Sequence, residues 1–184
     1  MEPTLPAELK LFNTHKRALE LTTNYGGSYW FYTPDYIFVN RFETAVPNYA
    51  VYIVGKQSKK NLDVTGASKS NETQVIIWPN NGGANQKWNF IATGDGYFNI
   101  QNVNSGKYLE IDGSSQDSGA SAIQYTPNDN GGANQEFSIE GVAGYYIIKA
   151  AHSGQVLDVC GGVPTNGTKV IQYPYHGGDN QLWR

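Results

Sequence analysis

Three sets of residues with the same makeup recur along the chain. Each holds an acid, an aromatic and an Asn-Gln pair. They are Asp63, Trp78, Asn85 and Gln86; Glu110, Tyr125, Asn134 and Gln135; and Asp158, Tyr173, Asn180 and Gln181. From acid to aromatic is 15 residues in every set. A carboxylate accepts hydrogen bonds from a pair of hydroxyls, and its charge strengthens them. A side-chain amide both donates and accepts. A flat aromatic ring offers an apolar wall. These are the groups needed to recognise a neutral ring with many hydroxyls and one apolar face, which is what a sugar presents. Each group also has a plainer reading. The Asn-Gln pairs can brace turns, the acids can stabilise loops, and the aromatics can pack locally. The recurrence of all three types together favours binding.

Other chemistry is poorly represented. There is one cysteine, Cys160, so neither a disulfide framework nor a multi-cysteine zinc site can form. Cys160 reads as a small residue at a strand end rather than as a nucleophile paired with His152 or His176. The three histidines, His15, His152 and His176, lack metal-ligand spacing. No nucleophile-elbow, zincin or phosphate-loop motif occurs. No catalytic residue, metal or cofactor is therefore expected. His176 stands close in sequence to the third set and could contact what it binds.

The elements that carry these residues also repeat. Three segments read GGANQKW (82–88), GGANQEF (131–137) and GGDNQLW (177–183). Upstream lie NLDV (61–64), YLEI (108–111) and VLDV (156–159), with VIIW (75–78), AIQY (122–125) and VIQY (170–173) between. Each acid follows a leucine: Leu62, Leu109, Leu157. Nine residues earlier stands an isoleucine, Ile53, Ile100 or Ile148, and two before that another apolar residue, Val51, Phe98 or Tyr146. That alternation is the signature of a strand with one buried face. The leucines are spaced by 47 and then 48 residues. Each repeat reads as four short strands separated by Ser-Gly, Asn-Gly or Gly-Gly turns. Three such units are too few for a propeller. Closed on one another, they make an all-β fold, a pseudo-threefold β-trefoil.

Composition agrees with that class and narrows the partners. Of 184 residues, 24 are aromatic and 21 are glycine, and only 16% are charged, against about 25% in an ordinary domain. The net charge of −3 leaves no basic stripe for a phosphate backbone, so nucleic acid is not an expected partner. No apolar run approaches the ~20 residues of a membrane span. The N-terminal MEPTLPAELK has no signal-peptide core, so a cytoplasmic location or export by a non-classical route is expected.

With these motifs in hand, the sequence resembles the ricin B-type (R-type) lectins, trefoils whose three repeats each carry a Gln-x-Trp signature. Here the signature stands as Gln86-Lys87-Trp88, Gln135-Glu136-Phe137 and Gln181-Leu182-Trp183. The resemblance covers residues 48–184, in repeats of about 48–93, 94–141 and 142–184. It implies that the acid, the aromatic and the Asn of each set line one pocket, and that the Gln holds the carboxylate. It further implies a non-enzymatic lectin for galactose- or N-acetylgalactosamine-ended glycans, able to agglutinate. Two other roles stay open: the targeting module of a toxin or polysaccharide-degrading enzyme, and a protein-binding trefoil with degenerate pockets. A homodimer is also compatible with the sequence.

The three sets are unequal. From aromatic to Asn is 7 residues in the first and third repeats and 9 in the second. The second repeat also has Glu110 for Asp and Phe137 for Trp. Its longer acid and longer loop are expected to shift the pocket floor and weaken it. In all three repeats isoleucine (Ile76, Ile123, Ile171) stands where plant-type members often carry a Gln two residues before the aromatic. Gln124 and Gln172 are one residue off and should face the other way. Residues 1–47 lie outside the resemblance. They are read as an extension with a helix over Pro6 to Leu21 and a hairpin of SYWFYT (28–33) and YIFVNRF (36–42).

Overall fold

The computed structural model describes residues 9–11, 18–22, 28–32, 36–39, 44–128 and 132–184. The chain divides into two compact units, residues 1–49 and 50–184.

Among the described residues of the first unit are five strands: β1 (Leu9–Leu11), β2 (Ala18–Thr22), β3 (Ser28–Tyr32), β4 (Tyr36–Val39) and β5 (Thr44–Pro47). β1, β2 and β3 form one antiparallel sheet, and β4 pairs with β5 in another. Two expectations are corrected. Where a helix was read over Pro6 to Leu21, the described residues are strands. Leu9 and Leu11, and Leu19 and Leu21, alternate with polar residues at a period of two, which suits a strand and not a helix. The strands at 28–32 and 36–39 exist but are not partners: β3 pairs with β2, in register from Ala18↔Tyr32 to Thr22↔Ser28, and β4 with β5.

The second unit is the trefoil. Its first repeat holds β6 (Val51–Tyr52), β7 (Asn61–Val64), β8 (Thr73–Trp78) and β9 (Lys87–Gly94). The second holds β10 (Tyr97–Asn102), β11 (Tyr108–Ile111), β12 (Ala122–Tyr125) and β13 (Phe137–Val142). The third holds β14 (Tyr145–Ala150), β15 (Val156–Val159), β16 (Val170–Tyr173) and a last bridge at Trp183. β7–β8, β11–β12 and β15–β16 are antiparallel hairpins with matching registers: Asp63↔Ile76, Glu110↔Ile123 and Asp158↔Ile171. Where repeats join, Asp95-Gly96 and Ala143-Gly144 take positive φ at both positions, as a tight hairpin requires.

The hairpins meet around a pseudo-threefold axis. Ile76 bridges Lys169, Ile123 pairs with Gln74, and Ile171 bridges Ser121. At that junction the Gln74 side-chain amide donates to three equivalent carbonyls, one per repeat: Val75 (2.7 Å), Ala122 (2.8 Å) and Val170 (3.1 Å). The far end of the unit is closed by its own termini. Trp183 bridges both Tyr146 and Gly55, and Val54 and Arg184 exchange backbone hydrogen bonds.

The core is made of the periodic residues. Ile53, Ile100 and Ile148, Leu62, Leu109 and Leu157, and Trp88, Phe137 and Trp183 are each no more than 4% exposed. Burying one tryptophan removes roughly 200 Å² from water, worth about 5 kcal/mol. The indole N–H is not stranded: Trp88 donates to the Leu62 carbonyl at 3.0 Å and Trp183 to that of Leu157 at 3.3 Å. Each indole thereby pins the backbone of the residue just before the acid.

Candidate functional site

Each acid sits in the middle of a hairpin strand and is buried: Asp63 on β7, Glu110 on β11, Asp158 on β15. Each aromatic ends the partner strand. Trp78 is 39% and Tyr173 43% exposed, and Tyr125 is half-buried. The Asn-Gln pairs fall on single 3-10 turns, Ala84–Gln86, Ala133–Gln135 and Asp179–Gln181, directly before the core aromatic. The anchored tryptophan or phenylalanine thus fixes the turn, and the turn aims the amides at the acid.

The glutamine is the hub. Gln86 Nε2 donates to Asp63 Oδ2 at 2.7 Å and to the Pro79 carbonyl at 2.9 Å. Its Oε1 accepts from Asn61 Nδ2 at 3.1 Å and from the Asn81 backbone N–H at 3.0 Å. That uses all four hydrogen-bonding positions of an amide, which neither Glu nor Leu could do. Gln135 repeats the pattern with Glu110, the Thr126 carbonyl and the Asn128 N–H. Gln181 donates to the Pro174 carbonyl and accepts from the His176 N–H, and its amide lowers the pKa of Asp158.

The asparagines are also tied inward. Asn85, Asn134 and Asn180 donate to the carbonyls of Val64, Ile111 and Val159. Their Oδ1 atoms lie over the glycine two residues earlier. A Cβ at Gly83, Gly132 or Gly178 would come within 2.4, 2.8 or 2.5 Å of that oxygen, so a side chain there would push the asparagine out of place. All three acids are pushed above the ordinary carboxylate range by burial, and the hydrogen bonds from glutamine and asparagine pull them partly back. Asp112 pushes Glu110 further up, and His176 pulls Asp158 down.

The second repeat keeps the same backbone contact to its glutamine despite its longer loop. Counting from the aromatic, Asn128 occupies the same position as Asn81 and His176, three residues on, and its N–H reaches Gln135 in the same way. The two extra residues therefore fall after Asn128. Gln124 and Gln172 face away from the pockets, as alternation requires, and are fully buried. Each amide pins a loop of the preceding repeat: Gln124 donates to the carbonyls of Ser68 and Ser70, and Gln172 to those of Ser115 and Asp117. Residues of a neighbouring repeat also come near two of the aromatics. A Cβ at Gly167 would lie 3.8 Å from the Trp78 ring, and Asn71 Oδ1 accepts from Thr126 beside Tyr125. Among the described residues no group of His, Cys, Asp and Glu is arranged to hold a metal.

Residues 38–125 and 133–184 match the family described as ricin-type beta-trefoil lectin domain-like. The chain belongs to that family. Solved structures agree. The designed threefold-symmetric protein ThreeFoil is 42% identical over 73% of this chain and 96% of its own, with a TM-score of 0.71. An exo-β-1,3-galactanase from Clostridium thermocellum, 1,3Gal43A, is 37% identical over 72% of this chain but only 29% of its own, with a TM-score of 0.70. The Rhizoctonia solani agglutinin is 26% identical over 78% of this chain and 97% of its own, with a TM-score of 0.69. No curated protein sequence matches the chain. As a ricin B-like lectin domain, this trefoil has a fold consistent with carbohydrate binding.

Proposed function

We propose that this chain is a non-enzymatic carbohydrate-binding protein for galactose- or N-acetylgalactosamine-type glycans, with the first and third repeats its stronger pockets. The observation that carries this reading is the threefold recurrence of a buried carboxylate beside a hydrogen-bonded glutamine and an aromatic ring that keeps part of its surface in solvent. Such an arrangement spends buried charge on an acceptor for ligand hydroxyls. In this reading Asp63, Glu110 and Asp158 accept from hydroxyl pairs, Trp78, Tyr125 and Tyr173 stack on the apolar sugar face, and Asn85, Asn134 and Asn180 contribute the amide. Gln86, Gln135 and Gln181 orient the acids. A single shallow pocket of this kind should bind with Kd on the order of 0.1–1 mM, or roughly −4 to −5.5 kcal/mol. The galactosidic preference is supported by the similarity to a galactan-degrading enzyme, and a multivalent role by that to an agglutinin. Because the match spans under a third of the galactanase, a targeting module within a longer protein is the second reading.

The test is a glycan array with the intact chain and with Asp63→Ala and Asp158→Ala. Stepwise loss of galactoside binding is expected. A folded protein that binds no glycan overturns the reading, and hydrolysis of a bound galactoside overturns its non-enzymatic part.

A further inference from the structure

The third pocket is not a copy of the first. Three residues after the aromatic, where the first repeat has Asn81 and the second Asn128, stands His176. All three donate their backbone N–H to the glutamine hub. In the first repeat the side chain then accepts from the following turn: Asn81 Oδ1 takes the Gly83 N–H at 2.8 Å. His176 does the same through Nδ1, which takes the Gly178 N–H at 3.2 Å. Its opposite edge does something Asn81 is not seen to do. His176 Nε2 lies 3.5 Å from Asp158 Oδ2, and the half-exposed ring stands over a carboxylate only 4% exposed. The ring also meets Tyr173 edge-on, with centroids 6.1 Å apart and planes at 76°.

An Nδ1 that accepts a hydrogen bond belongs to the neutral tautomer with its proton on Nε2. That tautomer suits both edges of the ring. Protonation disturbs both. It puts an N–H at Nδ1 against the Gly178 N–H, donor facing donor, so the turn loses its contact. It also puts a full positive charge at the edge facing Asp158 Oδ2, strengthening a contact that competes with a sugar hydroxyl for that oxygen. The other titratable or charged side chains on the surrounding elements are Tyr173 on β16, Tyr175 and Cys160 in the adjoining turns, and Asp179, which is already paired with Lys56 at 2.7 Å. Among side-chain types, histidine is the one whose charge ordinarily changes between pH 5 and 8.

We propose that His176 makes the third pocket pH-responsive: the pocket takes its sugar with the imidazole neutral and releases it on mild acidification. The first pocket, with Asn81 at that position, lacks this histidine-linked loss. This rests on the sugar-binding reading above.

The experiment uses the full chain carrying Asp63→Ala and Glu110→Ala, which leaves the third pocket alone. Methyl β-galactoside is titrated by NMR at about pH 7.5 and about pH 5.5, bracketing the usual histidine range. Affinity is expected to fall about threefold or more at the lower pH, the effect of one new neighbouring charge. His176→Asn in the same background, which installs the residue of the first repeat, should bind with little pH dependence. Equal affinity at both pH values, or a pH dependence that survives His176→Asn, overturns this proposal alone. No galactoside binding by the wild-type chain at the higher pH overturns the sugar reading and this proposal with it. A ligand-free readout on the wild-type chain guards against misfolded variants. Histidine ¹⁵N shifts should report the Nε2–H tautomer for His176, and an Nδ1–H tautomer overturns the proposal.

Discussion

Asp63 costs the fold something at neutral pH. Its folded-state pKa is raised, chiefly by burial, above the ordinary 3.8. Folding therefore favours its protonated form. Its contribution to stability is fully present below the ordinary value and is lost as pH rises through the raised one. Ligand binding has the opposite sign, because hydroxyls need the ionised acceptor, so affinity should fall with acidification earlier than for an exposed aspartate. Asp63→Asn separates the two effects. The amide oxygen can still accept from Gln86 Nε2, while the buried charge is gone. We expect equal or greater stability at pH 7, with the first pocket inactive. The gain should shrink towards pH 4. Thermal melts at the two pH values, with a galactoside titration, check this, and a clear loss of stability at pH 7 would refute it. At this scale the meeting of acid and glutamine was legible from type and spacing. What was not legible was the bracing by Asn61, Asn81 and Asn128. Asn81 and Asn128 act on the hub through backbone N–H groups, which nearly every residue type carries and no motif records. Spacing from the aromatic, rather than from the Gly-Gly pair, would have aligned them with His176.

Between strands, the informative contacts are those that no single repeat contains. The first strand of a repeat was readable because it buries one face against a shared core, which leaves a period-two trace, as in β10, and the other strands were readable from their recurring motifs. The N-terminal stretch was misread because Leu-Lys-Leu and Ala-Leu-Glu-Leu-Thr are short and made of residues that also form helices readily. The pairing of β3 with β2 was hidden for a different reason, since strand order is not encoded in either strand's own pattern. Gln74 is the sharpest such case. In the sequence it is one polar residue before Val-Ile-Ile-Trp. In the fold its amide serves carbonyls from all three repeats at the axis. Gln74→Leu keeps most of the volume but removes that donor. Leaving such carbonyls short of partners costs about 1–3 kcal/mol, and we expect a loss of that size in chemical denaturation. The pockets lie at other positions of the hairpins, so galactoside affinity should be unchanged. A loss under about 0.5 kcal/mol, the scatter of ordinary surface substitutions, would mean the carbonyls are satisfied without it.

For the trefoil unit as a whole, the threefold repetition has a consequence that no single pocket predicts. The three acids are carried by β7, β11 and β15 of three different repeats, and closure by Trp183 on Gly55 holds those repeats in one barrel. A small monovalent sugar can use one pocket at a time and gains nothing from the others. A surface dense in galactosides can engage two or three, and the second attachment is then intramolecular. Linked sites of this kind typically gain 10²–10⁴ in avidity without any new contact. We expect wild-type binding to a densely galactosylated surface to exceed its monovalent affinity by about that range. Asp63→Ala and Asp158→Ala should each remove most of the gain while leaving the remaining pocket's affinity for free methyl β-galactoside intact. Surface plasmon resonance at high and low ligand density, beside solution titration, separates the two quantities. If a single substitution weakens monovalent binding at every pocket, the repeats are coupled through the barrel rather than independent. If dense and sparse surfaces bind alike, one pocket alone is active and the symmetry serves the fold, not the ligand.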